Sequence, residues 1–310
     1  MIKIKEYSDK FDEQLKAIDM ITFYTVKYHS DVIKSGISAV VDGRKLIGVS
    51  YLKAGASFLK VDERELPYYF IHAEYITDEG ADVETQVEAS ELMLEDLKGK
   101  FADIQSRYND KRLILRLWCN TEKTAYQEFL MAHGFRPMRV LPILVRKLTE
   151  DDVREKDSIV LPGNEKLEIK EMNPHDDGFM KEYTVTNREA FEVEDSENEL
   201  RFVMGGEDSH VFSVMNRDRV IAAVTLWKIT ESRAATENIF CAADYRNKGI
   251  TSALLKYVFG YLKEKGYDVA SLTVFGDNQP ATQLYFKLGY ELEGNILELH
   301  YETEYSNIGF

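Results

Sequence analysis

Residues 246–251, Arg246-Asn247-Lys248-Gly249-Ile250-Thr251, place two cations and a glycine between an apolar run at 238–242 and an amphipathic segment at 252–265. A strand, a tight basic turn and a helix start, in that order, leave backbone N–H groups unpaired at the positive end of a helix, where a phosphate can be held. Arg246 and Lys248 add side-chain charge and Gly249 lets the backbone approach without a Cβ, while Asn247, Ile250 and Thr251 complete the turn with further N–H groups. The same six residues would also make an ordinary capped loop, so the surrounding elements must decide between the two.

Composition bounds what those elements can be. The chain has 310 residues, more than one hydrophobic core usually holds, which predicts two domains. With 44% apolar and 30% charged residues it reads as a soluble globular protein. Lys and Arg number 39 against 54 Asp and Glu, a formal charge of −15. Nucleic acid is therefore not the expected partner, because that affinity comes from cations displacing counterions, whereas a cationic substrate suits an acidic surface. Cys119 and Cys241 lie in apolar strand-like runs and read as reduced thiols; no His/Cys spacing fits zinc, so no metal is expected. No run has the length of a bilayer span or the build of a signal peptide, which predicts a cytoplasmic protein without a membrane partner.

Periodicity predicts a strand at 2–6, a helix at 11–21, and a hairpin of 36–41 with 45–54 around Asp42-Gly43. A strand at 67–76, a long helix at 83–105, a strand at 112–118, a helix at 121–133 closed by Gly134, and a strand region at 136–147 broken by Pro137 and Pro142 complete one α/β unit. Residues 149–164 are charged, non-periodic and end in Pro162-Gly163-Asn164, as a linker does.

The same order then returns: strand 166–172, helix 176–191, a hairpin of 210–216 with 220–229, strand 233–242, the basic turn, helix 252–265, strand 268–274, helix 280–288 closed by Gly289, and strands over 290–301. Leu46-Ile47-Gly48-Val49 echoes Val220-Ile221-Ala222-Ala223, and Phe129 to Phe135 echoes Leu284 to Tyr290 around their glycines. The chain thus reads as one fold twice, 1–148 and 165–310, joined by 149–164.

The second half resembles the GNAT superfamily of acetyl-CoA-dependent N-acyltransferases. The family's phosphate motif, Gln/Arg-x-x-Gly-x-Gly/Ala, is similar to Arg246–Thr251 preceded by Tyr245, with Thr251 where Gly or Ala is usual. Glu237 to Ala242 looks like its fourth strand, and Asp277-Asn278-Gln279-Pro280-Ala281 with Tyr285 and Gly289-Tyr290 looks like its second signature. The resemblance covers roughly 165–300 and implies a mixed α/β fold of α+β-like kind: two tandem GNAT-type domains, each a mostly antiparallel sheet flanked by helices. It also implies acetyl-CoA as cosubstrate and an amine of a small molecule or peptide as acceptor. Oligomerisation stays open.

An alkyl amine with a pKa near 10 is mostly ammonium at neutral pH, so exposing its lone pair costs on the order of 4 kcal/mol. A positioned base eases that step, and the departing thiolate needs an acid. By resemblance Glu237 is the candidate base and Tyr285 the candidate acid; Asn278 and Ala281, with the backbone of Ile239, Phe240 and Cys241, would line the pantetheine arm. Alternation alone leaves open whether Glu237 faces the site or solvent, whether Tyr285 is only a core residue, and whether Asn278 only caps its helix. A non-catalytic acyl-CoA-binding or interaction module on the same scaffold is the alternative function.

The first half keeps the framework and lacks these groups. Where the basic turn should stand the chain reads Thr77-Asp78-Glu79-Gly80-Ala81-Asp82, whose acids would repel a pyrophosphate, and Leu130 takes the place of Tyr285. A degenerate first unit beside a competent second one is similar in overall plan to the mycothiol synthase family.

Overall fold

The computed structural model describes residues 2–58, 68–108, 111–154, 156–191, 193–194, 197–205 and 208–303; the expected strand start at Pro67 and the end of the second unit at 304–310 lie outside the described residues. The first half runs β1 (Ile2–Glu6), α1 (Asp12–Ile18), α2 (Met20–Tyr28), β2 (Ser38–Asp42), β3 (Lys45–Phe58), β4 (Tyr68–Thr77), α3 (Val83–Arg107), β5 (Arg112–Asn120), α4 (Thr124–Ala132) and β6 (Arg136–Lys147). The second runs β7 (Ser158–Val160), β8 (Lys166–Met172), α5 (Asp177–Phe191), β9 (Val193–Glu194), α6 (Glu197–Met204), β10 (His210–Asn216), β11 (Arg219–Thr230), β12 (Arg233–Cys241), α7 (Ile250–Glu264), β13 (Val269–Thr273), α8 (Gln279–Lys287) and β14 (Glu291–Tyr301).

The single helix expected at 11–21 is two. Asp19 is extended (φ −155°, ψ 116°) and its carboxylate accepts the Thr22 N–H, so it ends α1 and caps α2. The strand region at 136–147 is likewise continuous despite its prolines. Register shifts lie beside both of them, between Glu298 and Leu299 opposite Pro137 and between Leu292 and Gly294 next to Pro142. A slip of one residue at those points absorbs the missing N–H donors.

All strands join one mixed, mostly antiparallel sheet in the order β1-β2-β3-β4-β5-β14-β6-β13-β12-β11-β10-β8-β7, with β9 paired to β3. The last strands of the two halves are exchanged: β14 lies between β5 and β6, and β6 between β14 and β13. Each half thus covers the exposed edge of the other, and no open edge remains at the centre of the molecule. Segment 149–164 adds β7 to the far edge and buries Leu161 at 5% exposure. It also crosses α7, where a Cβ on Gly260 would stand 2.2 Å from the Arg154 nitrogen; only glycine allows that crossing.

Helices cover both faces. In the second half α5 and α6 pack on one face around Tyr183, Leu200 and Phe240. On the other face, α7 and α8 bury Leu254, Val258 and Tyr285 against Leu272.

Candidate active site

The basic turn begins where β12 ends. Ala242 is tied to β11 by its N–H to the Ile221 carbonyl at 2.8 Å, and Tyr245 is buried, its hydroxyl donating to Glu165 at 2.7 Å and accepting from Asn216 at 2.9 Å. Asn247 (φ 62°) and Gly249 (φ 77°) are both left-handed, and Gly249 is the residue that starts α7. The glycine is needed for that conformation; a Cβ there would meet nothing within 4 Å, so the space in front of it is open. No side chain caps this helix. The first-turn N–H groups of Ile250, Thr251 and Ser252 therefore point outward at the positive end of a fifteen-residue helix.

Arg246 and Lys248 are exposed beside it. The Arg246 guanidinium reaches the Cys241 carbonyl at 3.2 Å and the Ala190 carbonyl at 3.4 Å, and the Lys248 ammonium sits 4.6 Å from the centre of the Tyr245 ring. The Cys241 thiol lies near Thr251: burial raises its pKa and the Thr251 hydroxyl lowers it. Both cysteines are free thiols.

Beside the turn the sheet opens. Parallel pairing of β12 with β13 spans only Arg233↔Val269, Ala234↔Ala270 and Ala235↔Ser271. Two residues further on, Oε1 of Glu237 accepts from the Thr273 N–H at 2.8 Å and from its hydroxyl at 3.0 Å, replacing a ladder bond with a side chain. Pairing of β12 with β13 does not resume beyond this point, and Phe240 and Cys241 pair with β11 alone, opposite Ala223 and Ala222. A one-residue bulge lies between Glu237 and Phe240, with Asn238 left-handed at φ 49°. Phe240 is anchored edge-on against Tyr183, ring centres 5.0 Å apart, while Ile239 and Cys241 are half-buried.

Glu237 is half-buried at the mouth of this opening. Burial raises its carboxyl to about 7, although the two bonds from Thr273 act in the opposite direction. Tyr285 of α8 is 6% exposed; burial and the charge of Glu237 both raise its hydroxyl, so acid and carboxylate share one electrostatic environment. Among the described residues that hydroxyl has no hydrogen-bond partner, and the ring packs edge-on to Tyr290 at 5.8 Å. Asn278 caps α8 by accepting the Ala281 N–H at 3.3 Å, which leaves its amide NH₂ uncommitted to the cap; Ala281 is half-buried against the core.

Three contributors escape a reading of sequence patterns. Asn238 sits in an apolar run, and only the tolerance of Asn for the left-handed region hints at a bulge. Thr273 and Thr236, the latter bonded to Tyr290 at 2.8 Å, hold the opening from either side, and nothing in strand alternation marks the two threonines. Among the described residues no group of three or more His, Cys, Asp or Glu is placed to hold a metal, and no helix is long and apolar enough to cross a membrane.

The corresponding turn of the first half is closed. Asp82 caps α3 by accepting from the Thr85 N–H at 2.9 Å and hydroxyl at 2.8 Å, and Asp78 accepts from the Gly80 N–H at 2.9 Å while pairing with Lys45 at 2.8 Å. Leu130 is fully buried in the apolar core there.

The model of the Acetyltransferase (GNAT) family matches residues 177–290. Three solved structures share the architecture over nearly the whole chain. A GCN5-related N-acetyltransferase from Sphaerobacter thermophilus is 12% identical with a TM-score of 0.60, covering 100% of this chain and 97% of that one. A tandem GNAT protein from the clavulanic acid biosynthesis pathway is 11% identical with a TM-score of 0.62, covering 97% and 98%. A GCN5-related N-acetyltransferase from Kribbella flavida is 14% identical with a TM-score of 0.52, covering 94% and 96%. No curated protein sequence matches the chain.

Proposed function

We propose, from the match of residues 177–290 to the Acetyltransferase (GNAT) family model and the fold shared with a tandem GNAT protein, that the protein is an acetyl-CoA-dependent N-acetyltransferase acting on a primary amine of a small molecule or peptide by direct attack in a ternary complex. The observation that carries the reading is the pairing of an uncapped, cation-flanked helix start with a carboxyl near neutrality and an unpaired buried phenol at the same sheet opening.

In this reading the N–H groups of 247–251, with Arg246 and Lys248, bind the pyrophosphate, and the free edge of Ile239–Cys241 with the Asn278 amide holds the pantetheine arm. Acetyl-CoA supplies the activated acyl group. Glu237, directly or through a water, takes a proton from the ammonium; the amine nitrogen then bonds to the acyl carbon as the carbon–sulfur bond breaks. An N–H at the Asn238 bulge stabilises the oxygen that gains charge, and Tyr285 gives its proton to the leaving sulfur and takes back the one that the nitrogen sheds as the amide forms. A base with a pKa of about 7 is half deprotonated at cytoplasmic pH, where a carboxylate at its ordinary value would be a weaker acceptor. The first half serves as scaffold and shapes one wall of the acceptor cleft.

Thiol release from acetyl-CoA across a panel of amines tests this reading. Turnover with at least one amine, reduced in Glu237→Gln and less steeply in Tyr285→Phe, is the expected result. Binding of acetyl-CoA without turnover on any amine would instead assign a non-catalytic acyl-CoA-binding module.

A further inference from the structure

The first half also has an opening between its parallel strands. Pairing of β4 with β5 stops at His72↔Arg116, so Glu74 and Trp118 stand two residues past the last pair, the places that Glu237 and Thr273 take in the second half. A cavity of about 380 Å³ lies there, lined among others by Asp19, Ile21, Glu74, Arg116, Trp118 and Tyr126. The helix start that would hold a phosphate tail is sealed by Asp82, so the cavity is not shaped for a nucleotide-bearing thioester.

Charge decides what it would take. Arg116 faces the cavity, but its guanidinium contacts His72 at 2.6 and 3.3 Å, lies 3.7 Å from the buried carboxylate of Glu298, and stacks on Phe70 at 4.3 Å and Trp118 at 4.9 Å. Glu298 meets it from behind and is shared with Arg139 at 3.3 Å, so these three groups leave one positive charge. His72 is neutral, since burial and the neighbouring Arg116 hold its pKa well below the usual value. Two carboxylates remain: Asp19, one oxygen of which caps α2, and Glu74, which is exposed and accepts from the Tyr51 hydroxyl. Beside them the Trp118 indole is 47% exposed, a large aromatic surface that a folded protein normally covers.

We propose that this cavity binds a small organic ammonium ion, with its charge between Asp19 and Glu74 and against the Trp118 ring, and its alkyl part on Ile21 and Tyr126. The site is separate from acyl transfer: β4 and β12 are five neighbours apart in the sheet, about 24 Å at ~4.8 Å per strand. It does not depend on that function. The ammonium can be a primary amine held away from the reaction or a cation that never reacts, and the choice of ligand separates the two.

Trp118 is one of two tryptophans, so its fluorescence can be isolated in a Trp227→Phe background. We would titrate butylammonium, tetramethylammonium, butanol and butyrate into this protein with no acyl donor present. The expected result is a saturable change with the ammonium ions and none with butanol or butyrate. Glu74→Gln and Asp19→Asn should each weaken it about tenfold; both keep the acceptor oxygens used by Tyr51 and Thr22, and circular dichroism checks their folding. Saturation by butylammonium alone points to a stored amine, and saturation by both ions to a non-reacting cation. No saturable response to either ammonium, a response indifferent to both substitutions, or saturation by butyrate would overturn the proposal. Because no acyl donor is present, none of these outcomes bears on acyl transfer.

Discussion

The two halves meet the same problem, a long helix that starts beside an opening in a parallel strand pair, and solve it in opposite ways. At α3 acids of the chain itself occupy the helix start: Asp82 caps the Thr85 N–H and Asp78 closes the preceding turn at Gly80. At α7 the start residue is a left-handed glycine with no side chain, flanked by Arg246 and Lys248, and the N–H groups are left outward. A cap stabilises a helix and uses up its anion site; a glycine start gives up that stabilisation and keeps the site available. The comparison teaches that a helix N-terminus can be judged by what already occupies it, and that conservation of the fold says little about conservation of the site.

The largest effect should come from the second half's opening. Glu237→Gln is expected to lower kcat/KM by about 10²- to 10⁴-fold, the usual worth of a positioned base. The wild-type rate should rise with pH through an apparent pKa of about 7, and steady-state kinetics should show that inflection vanish in the variant. Tyr285→Phe should cost about 10- to 10²-fold, mostly in kcat; an unchanged rate would remove Tyr285 from the reaction.

Mid-helix glycines give the next contrast. Gly260→Ala drives a Cβ into the Arg154 backbone and should destabilise the protein by about 1–3 kcal/mol in urea unfolding. Gly99→Ala in α3 meets nothing within 4 Å and should stabilise by up to about 1 kcal/mol. Asp82→Ala should cost about 1 kcal/mol of stability through the lost cap and leave acetyl-CoA turnover as it was. Smallest is the pH dependence of stability itself. The folded carboxyl of Glu237 is raised above its unfolded value of 4.5, so the native state holds the extra proton between the two values and loses stability as pH rises through about 7. Relative to Glu237→Gln the loss between pH 5 and 8 should be on the order of 1 kcal/mol, the full shift being discounted because the group is partly open to solvent.

Local features were legible from residue types. Asp42-Gly43 marks the hairpin that β2 and β3 form, and the basic turn with its glycine marks the start of α7. The acids at 78–82 read as repelling a pyrophosphate; that Asp82 and Asp78 also close the turn shows only in their bonds to Thr85 and Gly80. What escaped is non-local. Apolar spacing runs unbroken through Asp19, so the break between α1 and α2 shows only in the cap that Asp19 makes with Thr22. Alternation tells which face a side chain takes and not which strand lies next to it, so the exchange of β6 and β14 left no trace in the sequence. The orientation of Glu237 depends on a bulge at Asn238 and on Thr273 of another strand.

The central claim is that one helix start is open to an anion and its counterpart is not. Isothermal titration with acetyl-CoA tests it by stoichiometry and by substitution in each half. The account predicts one site per chain, lost or weakened at least about 100-fold in an Arg246→Glu, Gly249→Asp double variant and unaltered in Asp82→Asn. Binding that survives the double variant, or that moves with Asp82→Asn instead, would contradict it.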